Sequence, residues 1–523
     1  MSSAYCPVRV GMLANMTASA IMSIDQGTTS SRVVIYDERA RVLSSAQREH
    51  RQHFPQPGWV EHDAVEIWNT VRELMGLVTA RAGMSAEDIA CIGITNQRET
   101  TVLWDVETGR PVHRAIVWQD TRTDDLLVRV RESDDADELR RITGLPLASY
   151  FCAPKIAWIL EYSEPARLAA ERGTLRFGTM DTWLLWNLTG GVHGGVHATD
   201  ITNASRTLLM DLETGQWRPE LGAHFGLDPE QLGPMLPEIR ASVSDFGAVS
   251  ARVPLAGVRV TGILGDQQSA AFGQAVFAPG EVKNTYGTGC FLLHNTGAEV
   301  VRSEHGLLST VAYQLDGEAP MYALEGSIAQ AGSVVQWLRD NLGVITTSED
   351  VERLAGTVTD NGGVYFVPAF SGLFAPHWRP DARGLIIGLT GYATAGHIAR
   401  AALEATAFQT RDVLAAVVED TGLTPEVIRA DGGMSVNDEL MQFQADVLGV
   451  PVQRPRNVET TALGAAYAAG LGHGVWTDLD QLRELCVTGQ RWEPAMAPEQ
   501  REALRRRWDR AVVHAQGWLL DDA

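Results

Sequence analysis

Short apolar runs that end in polar, glycine-containing turns recur along this chain. Residues 24–32 combine an apolar start, a Gly-Thr-Thr-Ser turn and a β-branched continuation, and this pattern predicts a tight β-hairpin. A second hairpin is predicted at residues 282–293, around a Gly-Thr-Gly turn. The repetition of one hairpin in each half of the chain predicts two related domains.

Helical and strand-like patterns alternate in both halves. Residues 64–81 carry apolar side chains at helical spacing, with Asp63 as the predicted N-cap. Residues 89–95 and 258–264 are apolar runs of strand length. Further helices are predicted within residues 148–160, 326–338 and 437–448. Such alternation predicts α/β domains.

Length and composition agree with this division. A chain of 523 residues exceeds what one hydrophobic core usually organises. We expect a disordered tail at residues 1–20, an N-terminal domain at 21–273 and a C-terminal domain at 274–523. Ala18-Ser19-Ala20 resembles a signal-peptidase site, but the apolar stretch before it is short and interrupted by Asn15, so we favour the tail.

Charge and cysteine content narrow the function classes. The net charge of −22 argues against nucleic acid or an anionic membrane as a partner, because both bind clustered Lys and Arg. Five scattered cysteines without a C-x-x-C motif fit reduced thiols in a cytoplasmic protein. The sequence contains no apolar run of 18 residues, so no transmembrane helix is expected.

The first hairpin carries groups that suit polyphosphate and its metal. It offers a glycine, several backbone N–H groups, hydroxyl side chains, Arg32 and the carboxylate of Asp25. Asp-x-Gly-Thr also occurs in ordinary hairpins and in aspartic proteases. A protease needs two such aspartates, and no second Asp-x-Gly-Thr/Ser follows.

Three further polar segments follow apolar strands. Residues 96–100 (Asn-Gln-Arg-Glu-Thr) form either a ligand site at a strand end or a solvated turn. Asp266, at the start of a predicted helix, is either a helix cap or a base facing a cleft. The turn at residues 432–433 either lets the backbone approach a nucleotide or simply joins a strand to a helix.

Taken together, these motifs resemble those of the glycerol kinases, which belong to the carbohydrate-kinase family of the actin-like ATPase superfamily. The resemblance covers about residues 20 to 475. The matching motifs occur in the family's order at residues 25–32, 94–100, 265–268, 284–291 and 431–433, and the family's second signature fits residues 384–404.

The resemblance implies two ribonuclease-H-like domains with a catalytic cleft between them. It also implies ATP-dependent phosphorylation of glycerol to sn-glycerol 3-phosphate, with ATP and Mg²⁺, and we expect a homodimer or homotetramer. The implied glycerol-binding residues are Arg98, Glu99, Trp118, Tyr150, Asp266, Gln267 and Phe291. The implied ATP-binding residues are Thr28, Thr29, Ser30, Arg32, Thr288, Gly332, Gln336, Gly433 and Asn437. Asp25, with Asp266 nearby, is implied to hold Mg²⁺ through water, and Asp266 to act as the base.

The chemistry of the residues agrees with these roles. A carboxylate and a guanidinium together satisfy both the donors and the acceptors of a polyol. Phosphoryl transfer requires alignment and charge neutralisation, which Arg32 and the hairpin amides can supply. The alternatives are a kinase of the same family acting on another polyol or ketose, and a non-metabolic actin-like ATPase. The Arg98-Glu99 pair and Trp118 favour glycerol.

Two regions depart from the family's patterns. Cys152 stands where the family's first signature has Ser, Thr or Pro, and we expect local repacking at most. Residues 241–259 lack the glycine-lysine run that binds fructose 1,6-bisphosphate in some bacterial members, and no histidine lies between residues 241 and 266. We therefore expect neither the bisphosphate nor histidine phosphorylation to regulate this protein through that region.

Overall fold

The computed structural model describes residues 19–132 and 136–519. The predicted tail of residues 1–20 lies outside them except for Ser19 and Ala20. Ala20 is already the first residue of a strand. Within the described ranges, no helix is both long enough and apolar enough to cross a membrane.

The first half of the described chain alternates strands and helices, as the sequence predicts. Its strands are β1 (Ala20–Gln26), β2 (Ser30–Tyr36), β3 (Val42–Glu49), β4 (Glu61–His62), β5 (Ile89–Asn96), β6 (Val102–Asp105), β7 (Arg110–Pro111), β8 (Ala115–Ile116), β9 (Leu175–Gly178), β10 (Ala198–Asp200), β11 (Met210–Asp211), β12 (Gln216–Trp217), β13 (Glu238–Arg240), β14 (Val243–Ala248) and β15 (Arg259–Gly265). Its helices are α1 (Ala64–Ala82), α2 (Asp124–Arg131), α3 (Ala136–Thr143), α4 (Cys152–Tyr162), α5 (Glu164–Glu171), α6 (Met180–Thr189), α7 (Ile201–Ala204), α8 (Pro229–Leu232) and α9 (Asp266–Gly273).

The second half is built in the same manner. Its strands are β16 (Val282–Tyr286), β17 (Cys290–Gly297), β18 (Leu308–Tyr313), β19 (Met321–Ile328), β20 (Tyr365–Val367), β21 (Leu385–Ile387), β22 (Ile428–Asp431), β23 (Val452–Pro455) and β24 (Thr488–Trp492). Its helices are α10 (Gly332–Asp340), α11 (Asp350–Ala355), α12 (Ala395–Thr421), α13 (Asp438–Leu448), α14 (Thr460–His473), α15 (Leu479–Leu485) and α16 (Pro498–Ala515).

Two large sheets share the topology of their central strands and differ at their edges. The strand order is β14-β15-β5-β1-β2-β3 in the first sheet and β18-β19-β17-β16-β22-β23-β24 in the second. In each sheet an antiparallel hairpin, β1–β2 or β16–β17, continues into parallel strands, β5 and β15 or β22 and β23. Because parallel strands end at the same edge, the polar segments that follow β1, β5 and β15 gather there.

Local sequence signals set most helix boundaries. The side chain of Asp63 accepts hydrogen bonds from Val65 N and Glu66 N, so the predicted cap of α1 is confirmed. The helix predicted within residues 326–338 begins only at Gly332, because Gly326–Ile328 continues β19. The prediction was wrong for residues 326–328. The end of a buried strand and the start of a buried helix have similar apolar sequences, so the pattern alone does not separate them.

Helices α9 and α14 cross with their backbones in contact. A Cβ atom on Gly464 would lie 1.8 Å from Ser269 O, and one on Gly273 would lie 2.1 Å from Thr460 O. Real Cβ atoms do not approach backbone oxygens so closely, so both positions require glycine for the helices to meet. The two helices come from different halves of the chain, and their crossing joins the halves.

The same helix α14 covers the first sheet although it follows a strand of the second. A Cβ on Gly93 in β5 would lie 2.0 Å from Ala465 O, and one on Gly262 in β15 would lie 2.4 Å from Ala469 N. The first sheet is therefore completed by a helix from the second half of the chain. The opposite face of the first sheet packs against α1 and α6 in an apolar core that includes Ile92.

Candidate active site

The turn of the first hairpin is held by side chains from neighbouring segments. His50 Nε2 and Gln52 Nε2 lie 3.0 and 2.9 Å from Thr28 O, which accepts a hydrogen bond from each. Trp118 Nε1 donates to Thr28 Oγ1 at 3.0 Å. Thr29 is exposed at the tip of the turn. Three side chains from other segments thus hold the turn that is predicted to bind phosphate.

Asp25 and Arg32 face each other across the same hairpin. Arg32 Nη2 donates to Gln47 Oε1 at 2.7 Å, and Arg32 also forms an ion pair with Glu459 from the second half. Gln47 Nε2 in turn donates to Ser30 Oγ at 2.7 Å. The side chain of Arg32 is therefore placed beside the turn and spans the two halves of the chain.

The electrostatics around Asp25 favour a bound cation. Burial raises the pKa of Asp25 to about 7; Arg32 opposes this shift, and the negative charges of Asp266 and Glu459 add to it. A nearby positive charge would restore the ionised carboxylate. Asp25 thus lies near two other carboxylates, each of which is paired with an arginine.

These carboxylates fit Mg²⁺ better than a metal enclosed by protein ligands. Mg²⁺ commonly binds through one or two carboxylates, with phosphate and water oxygens completing the shell. In the part of the chain that the structure describes, no cluster of three or more His, Cys, Asp or Glu could hold a metal ion. Asp25 and Asp266 supply oxygen ligands of the kind that Mg²⁺ prefers.

The charged residues predicted to bind the polyol lie together at the ends of β5 and β15. Arg98 Nε lies 3.1 Å from Asp266 Oδ1 and 3.9 Å from Glu99 Oε1. Arg98 and Glu99 are buried, whereas the side chain of Asp266 retains 29% of its exposure. Asp266 is the first residue of α9, and its Oδ1 also accepts a hydrogen bond from Gln267 N at 2.7 Å. A carboxylate that is partly open to solvent and held by an arginine can accept a proton from a bound hydroxyl.

Trp118 and Phe291, predicted to wall the carbon atoms of the polyol, lie close together and beside Tyr150, which is predicted to bind it. The ring of Trp118 lies 5.4 Å from that of Tyr150 and 6.3 Å from that of Phe291, centroid to centroid. The guanidinium carbon of Arg98 lies 5.9 Å from the centre of the Phe291 ring. Since Phe291 comes from β17, the second half of the chain contributes one of these three rings.

The backbone of Glu99 is held in an unusual conformation. Its φ is +60°, in the left-handed region that non-glycine residues rarely adopt. Lys155 Nζ donates to Glu99 O at 3.1 Å and Cys152 Sγ lies 3.4 Å from the same oxygen. Cys152, the departure from the family pattern, therefore touches a residue predicted to bind the polyol, and the expectation of only local repacking stays a prediction.

Gln267 is linked to a buried lysine of the second half. Lys283 Nζ donates to Gln267 Oε1 at 2.5 Å, to Thr285 Oγ1 at 2.9 Å and to Phe291 O at 3.1 Å. Burial lowers the pKa of Lys283 to about 8, although several nearby carboxylates oppose this shift. The orientation of Gln267 is thus fixed from across the interface between the halves.

On the nucleotide side, the second hairpin receives the N-terminus of α10. Gly332 N donates to Gly287 O at 3.0 Å, and Ser333 N donates to Thr288 O at 3.1 Å. A Cβ on Gly332 would lie 2.7 Å from Gly287 O, so only glycine allows this approach. Helix N-termini attract anions, and this one lies directly beside a hairpin predicted to bind phosphate.

The other predicted nucleotide contacts occupy neighbouring turns. Gly432 has φ +85°, and a Cβ on it would lie 2.6 Å from Tyr286 O, which places the turn with Gly433 against the second hairpin. Gln336 is exposed on α10. Asn437 caps α13 by accepting a hydrogen bond from Leu440 N at 2.8 Å. This cap uses one lone pair of the Asn437 amide oxygen, which leaves the second lone pair and the amide nitrogen for a nucleotide contact.

The sequence analysis missed four buried charged residues that support the site. They are Lys155, Arg206, Lys283 and Glu325. Arg206 lies two residues after the end of α7. Glu325 stands alone between apolar residues of β19, and a single carboxylate inside an apolar strand is itself a signal, because an unpaired buried charge is rarely tolerated.

Comparisons with known proteins agree with this geometry. Residues 20–273 match the N-terminal domain, and residues 282–473 the C-terminal domain, of the FGGY family of carbohydrate kinases. The glycerol kinase of Leifsonia xyli subsp. xyli is 58% identical over 505 residues, which cover 97% of this chain and 99% of that protein. The glycerol kinase of Methylorubrum populi is 58% identical over 504 residues, covering 96% of this chain and 99% of that protein.

The fold matches solved structures as well. The crystal structure of Plasmodium falciparum glycerol kinase with ADP superimposes with a TM-score of 0.89 at 40% sequence identity. The match covers 95% of this chain and 98% of that one. The likeness therefore extends over both large sheets.

Proposed function

The chain belongs to the FGGY family of carbohydrate kinases, and from this premise we propose that it transfers the γ-phosphoryl group of ATP to glycerol, giving sn-glycerol 3-phosphate. One observation carries the choice of reaction: Asp266 Oδ1 lies 3.1 Å from Arg98 Nε, and the rings of Trp118, Tyr150 and Phe291 come together at the same site. A small polyol fits such a pocket because charged groups can bind its hydroxyls while the rings pack on its carbon atoms.

In this proposal the first half of the chain binds the acceptor. Arg98 donates hydrogen bonds to glycerol hydroxyls and Glu99 accepts them, and Gln267 and Tyr150 complete the polar contacts. Asp266 orients the attacking hydroxyl and removes its proton. The new oxygen–phosphorus bond forms as the bond between the γ-phosphorus and the bridging oxygen of ATP breaks, and ADP leaves with that electron pair.

The hairpins bind the nucleotide from opposite sides. We assign the phosphate contacts to Thr28, Thr29 and Ser30 with Arg32, and to Thr288 on the second hairpin. We assign the remaining nucleotide contacts to the turns and helix starts of the second half, at Gly332, Gln336, Gly433 and Asn437. Backbone amides and one guanidinium neutralise charge that spreads over the phosphate oxygens in the transition state.

Asp25 and Asp266 are the residues that would hold Mg²⁺, and this ion supplies neutralisation of phosphate charge. The division of labour keeps residues 21–273 as the domain of the polyol and the first phosphate hairpin, and residues 274–523 as the nucleotide domain. The matched family regions, which end at residue 273 and resume at residue 282, support this division.

Glycerol should be the preferred acceptor among related polyols and sugars. The charged and aromatic groups converge on a pocket for one short triol, so we expect a higher kcat/KM for glycerol than for xylulose, ribulose or gluconate. ADP release measured across this panel checks the expectation. A preparation carrying Asp266→Asn serves as the blank for contaminating kinases, and faster turnover of a pentulose than of glycerol would overturn the assignment.

The cleft should close when both substrates are present. Closure excludes water from the reacting phosphoryl group, and the crossing of α9 and α14 is one of the places where the two halves meet. Small-angle scattering should give a smaller radius of gyration with glycerol plus a nonhydrolysable ATP analogue than with either ligand alone. An identical radius in all states would contradict closure and indicate a rigid cleft.

A further inference from the structure

Four buried charges form a closed network behind the polyol pocket. Glu325 Oε1 accepts hydrogen bonds from Arg98 Nη2 at 3.1 Å and from Arg206 Nη2 at 3.0 Å, and Glu325 Oε2 accepts one from Arg98 Nη1 at 2.5 Å. Arg206 Nε donates to Glu99 Oε1 at 2.6 Å. All four side chains are at most 3% exposed. The charges of two guanidiniums and two carboxylates thus neutralise one another in a region shielded from solvent.

Glu325 is the one member of this network that comes from the second half of the chain. It lies on β19, whereas Arg98 and Glu99 follow β5 and Arg206 follows α7. Residue Glu325 pairs with Leu293 of β17, in the strand that follows the turn of the second hairpin. The network therefore joins the polyol side to the sheet that carries the nucleotide hairpin.

The hydrogen bonds of the network fix the positions of the Arg98 and Glu99 side chains. Both terminal nitrogens of Arg98 are engaged by Glu325, which leaves its Nε toward Asp266 at 3.1 Å. Arg206 is anchored at Nη2 by Glu325 and at Nε by Glu99. Burial alone would raise the pKa of Glu325, but Arg206 and Arg98 outweigh it and lower the pKa to about 2. The bridging carboxylate is therefore ionised throughout the neutral range.

We propose that Glu325 is a positioning residue for the acceptor site: by bridging Arg98 and Arg206 it fixes Arg98 and Glu99 in the orientation that binds the polyol. The inference rests on the proposed function, because the acceptor is taken to be glycerol. Glu325 does not itself contact the substrate. Its effect passes through the two residues that do, so its removal misplaces groups on the acceptor side and leaves the phosphate hairpins intact.

The first test is Glu325→Gln, which keeps the size of the side chain and removes its charge. Breaking one partner of a buried, hydrogen-bonded charge network is costly, and here the loss falls on acceptor binding. We expect kcat/KM for glycerol to fall on the order of 100-fold, mainly through KM for glycerol, with KM for ATP within about threefold of wild type. A general loss of structure would raise both constants and lower the fraction of active enzyme.

Glu404→Gln is the matched control. Glu404 is also a buried glutamate of the second half, and it pairs with Arg400 Nε at 3.1 Å and with Asn361 Nδ2 at 2.8 Å, outside the network. Its substitution should leave KM for glycerol unchanged even where it lowers thermal stability. Far-ultraviolet circular dichroism and thermal melting of both variants establish that each one folds.

Arg206→Lys provides a second variant in case Glu325→Gln does not fold. A lysine keeps the positive charge but cannot reach two carboxylates with the planar fork of arginine, so KM for glycerol should again rise and KM for ATP should not. The effects of Glu325→Gln and Arg206→Lys on kcat/KM should not multiply when combined, because both act through one network.

The outcomes separate the two proposals. A wild-type enzyme that does not phosphorylate glycerol overturns the proposed function. A wild-type enzyme active on glycerol, with folded Glu325→Gln or Arg206→Lys retaining KM for glycerol within about threefold, overturns the positioning role alone.

Discussion

Replacing Asp266 by asparagine should lower kcat for glycerol phosphorylation by about 10²- to 10⁴-fold, with nucleotide binding little changed. Asparagine has nearly the same size and can still accept a hydrogen bond from Gln267 N, which Asp266 Oδ1 accepts at 2.7 Å. It cannot take a proton from the attacking hydroxyl. Steady-state kinetics, together with calorimetric titration of an ATP analogue, distinguish a lost base from a lost binding site.

Asp63→Asn is the control for this experiment. Asp63 also stands at the start of a helix, where it accepts hydrogen bonds from Val65 N and Glu66 N of α1. Asparagine is as good an N-cap as aspartate, so activity and stability should both remain close to wild type. Near-normal kcat for Asp266→Asn would reduce Asp266 to a structural residue at the start of α9.

Adding one methyl group at the crossing of the interdomain helices should destabilise the protein strongly. In Gly464→Ala the new Cβ would lie 1.8 Å from Ser269 O, and no rotamer change can relieve contact with a backbone atom. The helices must move apart, so we expect a loss of about 3 kcal/mol or more, at the upper end of overpacking effects. Apparent melting temperatures at one scan rate, and inactivation half-lives at one temperature, measure this loss.

Gly76→Ala is the control for Gly464→Ala and should change the stability in the opposite direction. Gly76 lies inside α1, and apart from its chain neighbours and the adjacent backbone of the helix no heavy atom lies within 4 Å of the position a Cβ would take. Alanine there should stabilise the protein by about 0.5–1 kcal/mol, because it restricts the unfolded chain and favours the helix. Equal melting temperatures for Gly464→Ala and wild type would show that α9 and α14 can separate without cost.

Local patterns in the sequence were sufficient to predict the elements that carry the site. The β1–β2 hairpin, α1 with its cap at Asp63 and the helix that starts at Asp266 all follow from turn residues, caps and apolar periodicity. The resemblance to a known family then predicted that these elements meet at one cleft. Turn residues, caps and apolar periodicity lie within or beside the element that they specify, so they can be read without knowledge of the tertiary structure.

The parts that could not be predicted depend on distant partners. Glu325 is separated from Arg98 by 227 positions and from Arg206 by 119, and nothing in the local pattern pairs them. The packing of α14 on the first sheet is equally hidden, because its all-round small and apolar residues indicate burial but not the surface that buries them. Sequence patterns thus predict which residues are buried more readily than which residues meet.

The placement of α14 also has a consequence for synthesis on the ribosome. The face of the first sheet formed by β1, β5 and β15 is covered by residues of α14, which emerge roughly 200 residues after α9 ends at Gly273. Synthesis at about 5–20 residues per second leaves that apolar face of the nascent first half uncovered for about 10–40 s. The growing chain therefore depends on chaperones, or on slow collapse, until His473 has left the exit tunnel, and a fragment ending at residue 273 should aggregate rather than fold.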